Sequence, residues 1–169
     1  MQWSTFDCDE HRPKPVLRMV IDAHISAVTE CGKTPDGMHM NYMIGGGEFM
    51  ACGADDEIIK GQVMPGGADY FRERADGVGV LNAMYSLKSD QGQVVNLHNT
   101  GLYVTHEEGK ALEADGVWPL PKGLYRSACR PVFTAPEGEL HWLNNNVFTG
   151  LVEYPTAANV IIRIYQLVD

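Results

Sequence analysis

The chain has 169 residues, 44% hydrophobic and 21% charged, with a net charge of −9. That is enough for one domain with its own core, in the globular range. The acidic balance and the lack of any Lys/Arg run exclude the electrostatic footprint of a nucleic-acid binder. No apolar run is long enough to span a bilayer. The start, Met1-Gln2-Trp3-Ser4-Thr5-Phe6-Asp7-Cys8-Asp9-Glu10, shows no signal-peptide pattern, so a cytoplasmic protein without a membrane partner is expected. Cys8, Cys31, Cys52 and Cys129 are scattered without CxxC spacing, which reads as reduced thiols and gives no support to a metal site.

Glycine is frequent, at 18 residues, and falls in pairs and at the ends of apolar runs. This favours many short strands over long helices. Residues 1–15 read as a polar N-terminal arm ending at Pro13-Lys14-Pro15, and 16–169 as one domain. Val16 to Glu30 has a period of two, with Leu17, Met19, Ile21, Ala23 and Ile25 forming an apolar face. Thr34-Pro35-Asp36-Gly37 is a turn. Met38 to Ile44 is a second strand, ended or bulged at Gly45-Gly46-Gly47, with a short extended piece from Phe49 to Cys52. Ile58 to Met64 is a third.

The stretch from Gly61 to Gly77 breaks at Pro65-Gly66-Gly67, delivers Asp69, Tyr70, Phe71, Arg72 and Arg74, and breaks again at Asp76-Gly77. Paired glycines permit positive φ or a close backbone approach. The polar cluster behind them is either aimed into a cavity or a corner whose aspartate caps backbone amides.

Val78 to Lys88 alternates cleanly, Ser89-Asp90-Gln91-Gly92 turns, and Gln93 to Tyr103 returns antiparallel. Both faces of the returning strand are mixed in polarity. Mixed faces suit a barrel that encloses a ligand better than a sandwich. Glu107 to Gly116 is the one helix-friendly segment. Leu124 to Thr134 is a strand whose Pro131 argues for an edge or a bulge. Leu140 to Thr149 reads as a strand carrying Trp142 and Asn144. Asn159 to Val168, rich in β-branched residues, closes the chain as a barrel seam would.

In order, Gly45-Gly46-Gly47, Gly66-Gly67-Ala68-Asp69-Tyr70, Arg74-Ala75-Asp76-Gly77, Tyr85 with Asp90-Gln91-Gly92, Trp142-Leu143-Asn144 with Phe148-Thr149-Gly150, and Val160-Ile161-Ile162-Arg163-Ile164-Tyr165 resemble domain of unknown function family 3237, the uncharacterised protein family 0311. The resemblance covers residues 16–168. It implies a single antiparallel β-barrel of about eight to ten strands with a central pocket and at most one short helix, an all-β fold. It implies no agreed activity.

Within such a barrel Asp69, Tyr85 and His98 are the candidate catalytic residues. A carboxyl buried beside aromatics has a raised pKa suited to general acid–base work. A phenol at a water-poor site donates or stabilises charge, and histidine carries protons near neutral pH. Each has a plainer reading, as a turn cap, a core tyrosine and a surface histidine. Tyr70, Arg74, Asn99, Tyr125, Arg126, Trp142 and Asn144 are the candidate substrate-binding residues: aromatic walls, an amide to orient a carbonyl, and guanidinium forks for an anionic oxygen. His98 and Asn99 are adjacent on a strand, so only one can face the lumen.

GxSxG and GxGxxG are both missing, which argues against a serine hydrolase and a dinucleotide site. The expectation is a cofactor-free isomerase, cyclase or lyase acting on an aromatic or polyketide-like carbonyl compound. The alternative is a non-catalytic binder of a similar ligand, and a structural subunit comes third. A homodimer is compatible with the composition.

Overall fold

The computed structural model of the chain describes residues 12–168. Most of the expected N-terminal arm, and Cys8 with it, lies outside them. Nine strands run in chain order: β1 (Lys14–Thr34), β2 (Gly37–Cys52), β3 (Ile58–Val63), β4 (Ala68–Glu73), β5 (Gly79–Ser89), β6 (Val94–Thr105), β7 (Tyr125–Thr134), β8 (Phe148–Glu153) and β9 (Asn159–Val168). One helix, α1 (Glu107–Ala114), follows β6, and a 3₁₀ turn (His141–Asn145) precedes β8.

All pairings are antiparallel, and the sheet closes because β1 pairs with both β2 and β9. β3 and β4 share one place in the ring. β3 pairs with β2 over Glu48–Cys52, β4 pairs with β2 over Met38–Met43, and both then pair with β5. The result is a ring of eight positions, closed most thinly between β7 and β8, where only Ala128 and Cys129 pair across.

Of the two alternatives at Gly45-Gly46-Gly47 the structure has the bulge: β2 is one strand that runs through the glycines, with the register against β1 shifting there. Two expectations are corrected. Residues 68–73, read as a corner, form β4. Residues 141–145, read as strand, form the 3₁₀ turn, so Trp142 and Asn144 do not share a strand face. The reason for the last is burial at i, i+3: Leu140 and Leu143 are 0% and 2% exposed and plug one end of the barrel. Pro131 is tolerated inside β7 because pairing with β8 is confined to Ala128 and Cys129, so its missing N–H costs no ladder bond there.

The interior has two halves. Met19, Ile21, Phe49, Val63, Leu87, Val95, Leu97, Leu140 and Ile164 pack solidly at the plugged end. Further along the same strands the inward residues leave space. Leu87 is 0% exposed, so Leu87→Ala is expected to cost ~2–5 kcal/mol, read as a lowered urea midpoint at unchanged slope. A loss below about 1 kcal/mol would show that this end is not close-packed. Cys31, Cys52 and Cys129 are unbridged, and no helix among the described residues is long and apolar enough to cross a membrane.

Candidate functional site

A cavity of about 930 Å³ occupies the open half of the barrel. Its lining is set by strand parity. On β4, Asp69, Phe71 and Glu73 line it; on β5, Gly79, Leu81, Ala83 and Tyr85; on β6, Asn99, Tyr103 and Thr105. Tyr42, Asp69, Ala83 and Asn99 lie on one cross-strand row, since Tyr42 pairs with Asp69, Asp69 with Ala83, and Ala83 with Asn99. Ala83 is small and leaves room between the acid and the amide. Tyr85 sits two residues along β5, one step towards the packed end.

The mouth is built by irregular chain. Tyr103 Oη donates to Glu113 Oε1 at 2.8 Å and Thr105 Oγ1 to Glu113 Oε2 at 3.2 Å, tying α1 to β6. The following loop lays Trp118 against Tyr103 and Tyr154, with ring centroids 6.1 and 5.1 Å apart.

Asp69 is the chemically distinctive group. Burial raises its carboxyl to a pKa of about 6, partly offset by the Asn82 backbone N–H donating to Oδ1 at 2.7 Å. No salt bridge holds this carboxylate among the described residues. Burial, and to a smaller degree the charge of Asp69, also raises the phenols of Tyr42, Tyr85 and Tyr154, so these are hydrogen-bond donors rather than phenolates at neutral pH. The Tyr85 hydroxyl and Asn99 Oδ1 are buried and have no hydrogen-bond partner in the protein. Buried polar atoms are nearly always paired, and these two belong to residues lining the cavity next to the acid.

Of the residues singled out from sequence, the structure brings Asp69, Tyr85 and Asn99 together on this cavity. His98 faces outside, exposed, with Nε2 2.8 Å from Asn82 Oδ1. Tyr70 is 45% exposed and lies with Arg126 on a groove of the outer wall. Arg74 is exposed and ion-paired with Asp76. Tyr125 supports the wall behind the cavity: its hydroxyl accepts the Tyr154 backbone N–H at 3.2 Å, and its ring packs on Tyr103 and Tyr154. Trp142 packs on Phe148 at the plugged end, away from the cavity. Asn144 uses its amide to bind both the N–H and the C=O of Ala135. The positions of His98, Tyr70, Arg74, Arg126, Trp142 and Asn144 therefore correct the expectation that they line the lumen.

Sequence reasoning missed Tyr42, Glu73, Tyr103, Thr105, Trp118 and Tyr154. Parity could have found Glu73 from Asp69, and Tyr103 and Thr105 from Asn99. No group of three or more His, Cys, Asp or Glu side chains able to hold a metal occurs among the described residues.

These features define a closed antiparallel β-barrel, packed at one end and hollow at the other, with one desolvated acid in the hollow. The chain belongs to the family described as "Protein of unknown function (DUF3237)", whose model matches residues 12–167. A UPF0311 protein of Rhodopseudomonas palustris is 31% identical over 147 residues, covering 87% of this chain and 92% of that one. The crystal structure of a conserved protein of unknown function from R. palustris superposes with a TM-score of 0.81 at 28% identity, covering 93% of this chain and 99% of the other. A β-barrel-like protein from Acinetobacter baumannii gives 0.78 at 24% identity, covering 95% and 99%. A structure described as an enzyme from Penicillium herquei gives 0.67 at 14% identity, covering 95% and 98%; at that distance the likeness concerns the fold alone.

Proposed function

We propose that this protein is a cofactor-free enzyme that moves protons on an aromatic or polyketide-like carbonyl compound held in the barrel. The observation that carries the reading is Asp69, a carboxyl lifted to about pKa 6 inside a ligand-sized cavity, beside a Tyr85 hydroxyl that has no protein acceptor. A general base works best with a pKa near the working pH, and preorganised donors stabilise developing oxyanions.

In this reading the Asp69 carboxylate takes a proton from the carbon next to the carbonyl. The C–H electron pair becomes the enolate π system, and the enolate oxygen accepts a hydrogen bond from Tyr85. Return of the proton to another carbon gives isomerisation. Attack of the enolate carbon on a second carbonyl, followed by loss of water, gives cyclisation. Trp118, Tyr103 and Tyr154 supply flat apolar walls for a ring. The existence of an enzyme on this fold in P. herquei is compatible with the reading and adds only analogy.

The test uses 6-hydroxy-1-tetralone, whose ring CH₂ beside the ketone exchanges with D₂O through an enolate. The protein is expected to accelerate that exchange, with a rate rising through pH about 6 to a plateau as Asp69 ionises. Asp69→Asn is expected to lower it by at least about a hundredfold while the ketone still binds. Unaltered exchange in the variant rejects Asp69 as the base. Binding without any exchange in the wild type leaves a ligand-binding protein.

A further inference from the structure

The charges around the cavity are unevenly distributed. Asp69, Glu73 and Glu113 line it, against one cation, Lys110, which is ion-paired with Glu107 at 2.8 Å. No arginine or histidine is among the described lining residues. The guanidinium groups lie elsewhere: Arg18 pairs with Asp56, Arg72 with Asp36, Arg74 with Asp76 and Arg163 with Glu153, while Arg126 and Arg130 lie on the outer groove. An anionic ligand entering this lumen would lose its hydration, meet two or three carboxylates, and find no fork to pair with.

The orphaned atoms add a second constraint. Tyr85 has a hydroxyl proton to give and Asn99 Oδ1 a lone pair to fill. Asn99 lines the cavity, and its Oδ1 is the buried side-chain oxygen there that accepts nothing from the protein. Tyr85 and Asn99 are diagonal neighbours across β5 and β6, since Tyr85 pairs with Leu97 and Ala83 with Asn99. A single ring system therefore reaches both.

We propose that the lumen selects an uncharged hydroxyaryl ketone, reading the carbonyl with Tyr85 and the hydroxyl with Asn99, and rejects the carboxylate of the same shape. The free acid is neither substrate nor product here, so a ligand with a carboxyl group must arrive as an ester, a lactone or a ketone. The proposal rests on the lumen being the substrate site and deepens that reading: Asn99 becomes a specificity-determining residue, and Glu73 at the rim part of a charge filter.

Isothermal titration at pH 7, where the phenol is largely uncharged and Asp69 mostly ionised, tests it with three compounds: 6-hydroxy-1-tetralone, 1-tetralone without the hydroxyl, and 6-hydroxy-1-naphthoate with the carboxylate. The hydroxyketone is expected to bind at least about tenfold more tightly than either of the others, because a buried polar group left unpaired is a strong discriminator. Asn99→Leu is expected to erase the preference over 1-tetralone and keep the preference over the carboxylate. Glu73→Gln, a change at an exposed rim position, is expected to shrink the discrimination against the carboxylate by about threefold or more, and so is Asp69→Asn. Naphthoate binding as tightly as the hydroxyketone overturns the charge filter, and a hydroxyl without effect in the wild type overturns the role of Asn99; either outcome leaves the lumen as the ligand site. If none of the three binds, and native mass spectrometry shows another molecule in the protein, the aromatic-carbonyl reading falls and this proposal falls with it.

Discussion

At pH 8, Asp69→Asn is expected to stabilise the barrel by up to about 3 kcal/mol, although it removes the residue that the proposed chemistry depends on. Folding raises this carboxyl from 3.8 to about 6, because burial outweighs the single hydrogen bond from the Asn82 backbone. Between those two values the folded chain holds a proton that the unfolded chain has released. Wild-type stability therefore falls as pH rises from about 4 to about 6, and the full cost persists above that. Asparagine has no charge to desolvate, and its Oδ1 can still accept the Asn82 N–H. Urea denaturation at pH 4 and pH 8 checks this: the variant's advantage should be small at the first pH and large at the second. A variant less stable at pH 8, or an advantage independent of pH, would show that Asp69 is not strained by its surroundings. An ionised group kept in a costly place is the usual signature of a stability–activity trade-off.

Gly67→Ala is expected to do the most damage among single-methyl additions near the site, and Gly66→Ala serves as its control. Both glycines have positive φ, +112° at Gly66 and +76° at Gly67, and together they turn the chain from β3 into β4. A Cβ at Gly66 meets nothing within 4 Å, so only backbone strain applies, about 1 kcal/mol. A Cβ at Gly67 would lie 2.1 Å from the Met84 carbonyl oxygen, in the β5 backbone that pairs with Ala68. Relief requires β4 and β5 to separate at the residues flanking Asp69, so a loss of about 4 kcal/mol or more is expected. Equal urea midpoints for the two variants would refute the close approach. Any Gly67→Ala protein that does fold should have lost the α-proton exchange, because Asp69 is two residues from the displaced corner.

The strands were legible where alternation and turn chemistry agreed. The β5–β6 hairpin shows both, with Leu81, Tyr85 and Leu87 on one side and Gly92 closing the turn at φ +92°. β4 was missed because six residues wedged between two glycine breaks look like a corner until partners on both sides, β2 and β5, are available. The 3₁₀ turn was missed because Trp142 and Asn144 are two apart, as on a strand, while the informative spacing was Leu140 to Leu143. Among the site residues, Asp69 was readable as the acid behind a paired-glycine break, and Asn99 as the amide sharing a strand face with Val95 and Leu97. Parity then argues against Tyr70, Arg74 and His98 once Asp69 and Asn99 are placed inside. Trp118, Glu113 and Tyr154 sit on a loop, on a short helix and just past the end of β8, where no period announces a direction.

By itself the sequence determined which side chains travel together, because a strand's period of two is a local property that survives whatever the chain packs against. It could not decide which set encloses a hollow. That depends on β9 returning to β1 and on Leu140 and Leu143 filling one end while Ala83 and its neighbours leave the other open. The acidity of Asp69 was likewise decided only in three dimensions: a carboxyl's pKa is set by the water and charges around it, and those are brought there by strands distant in the chain.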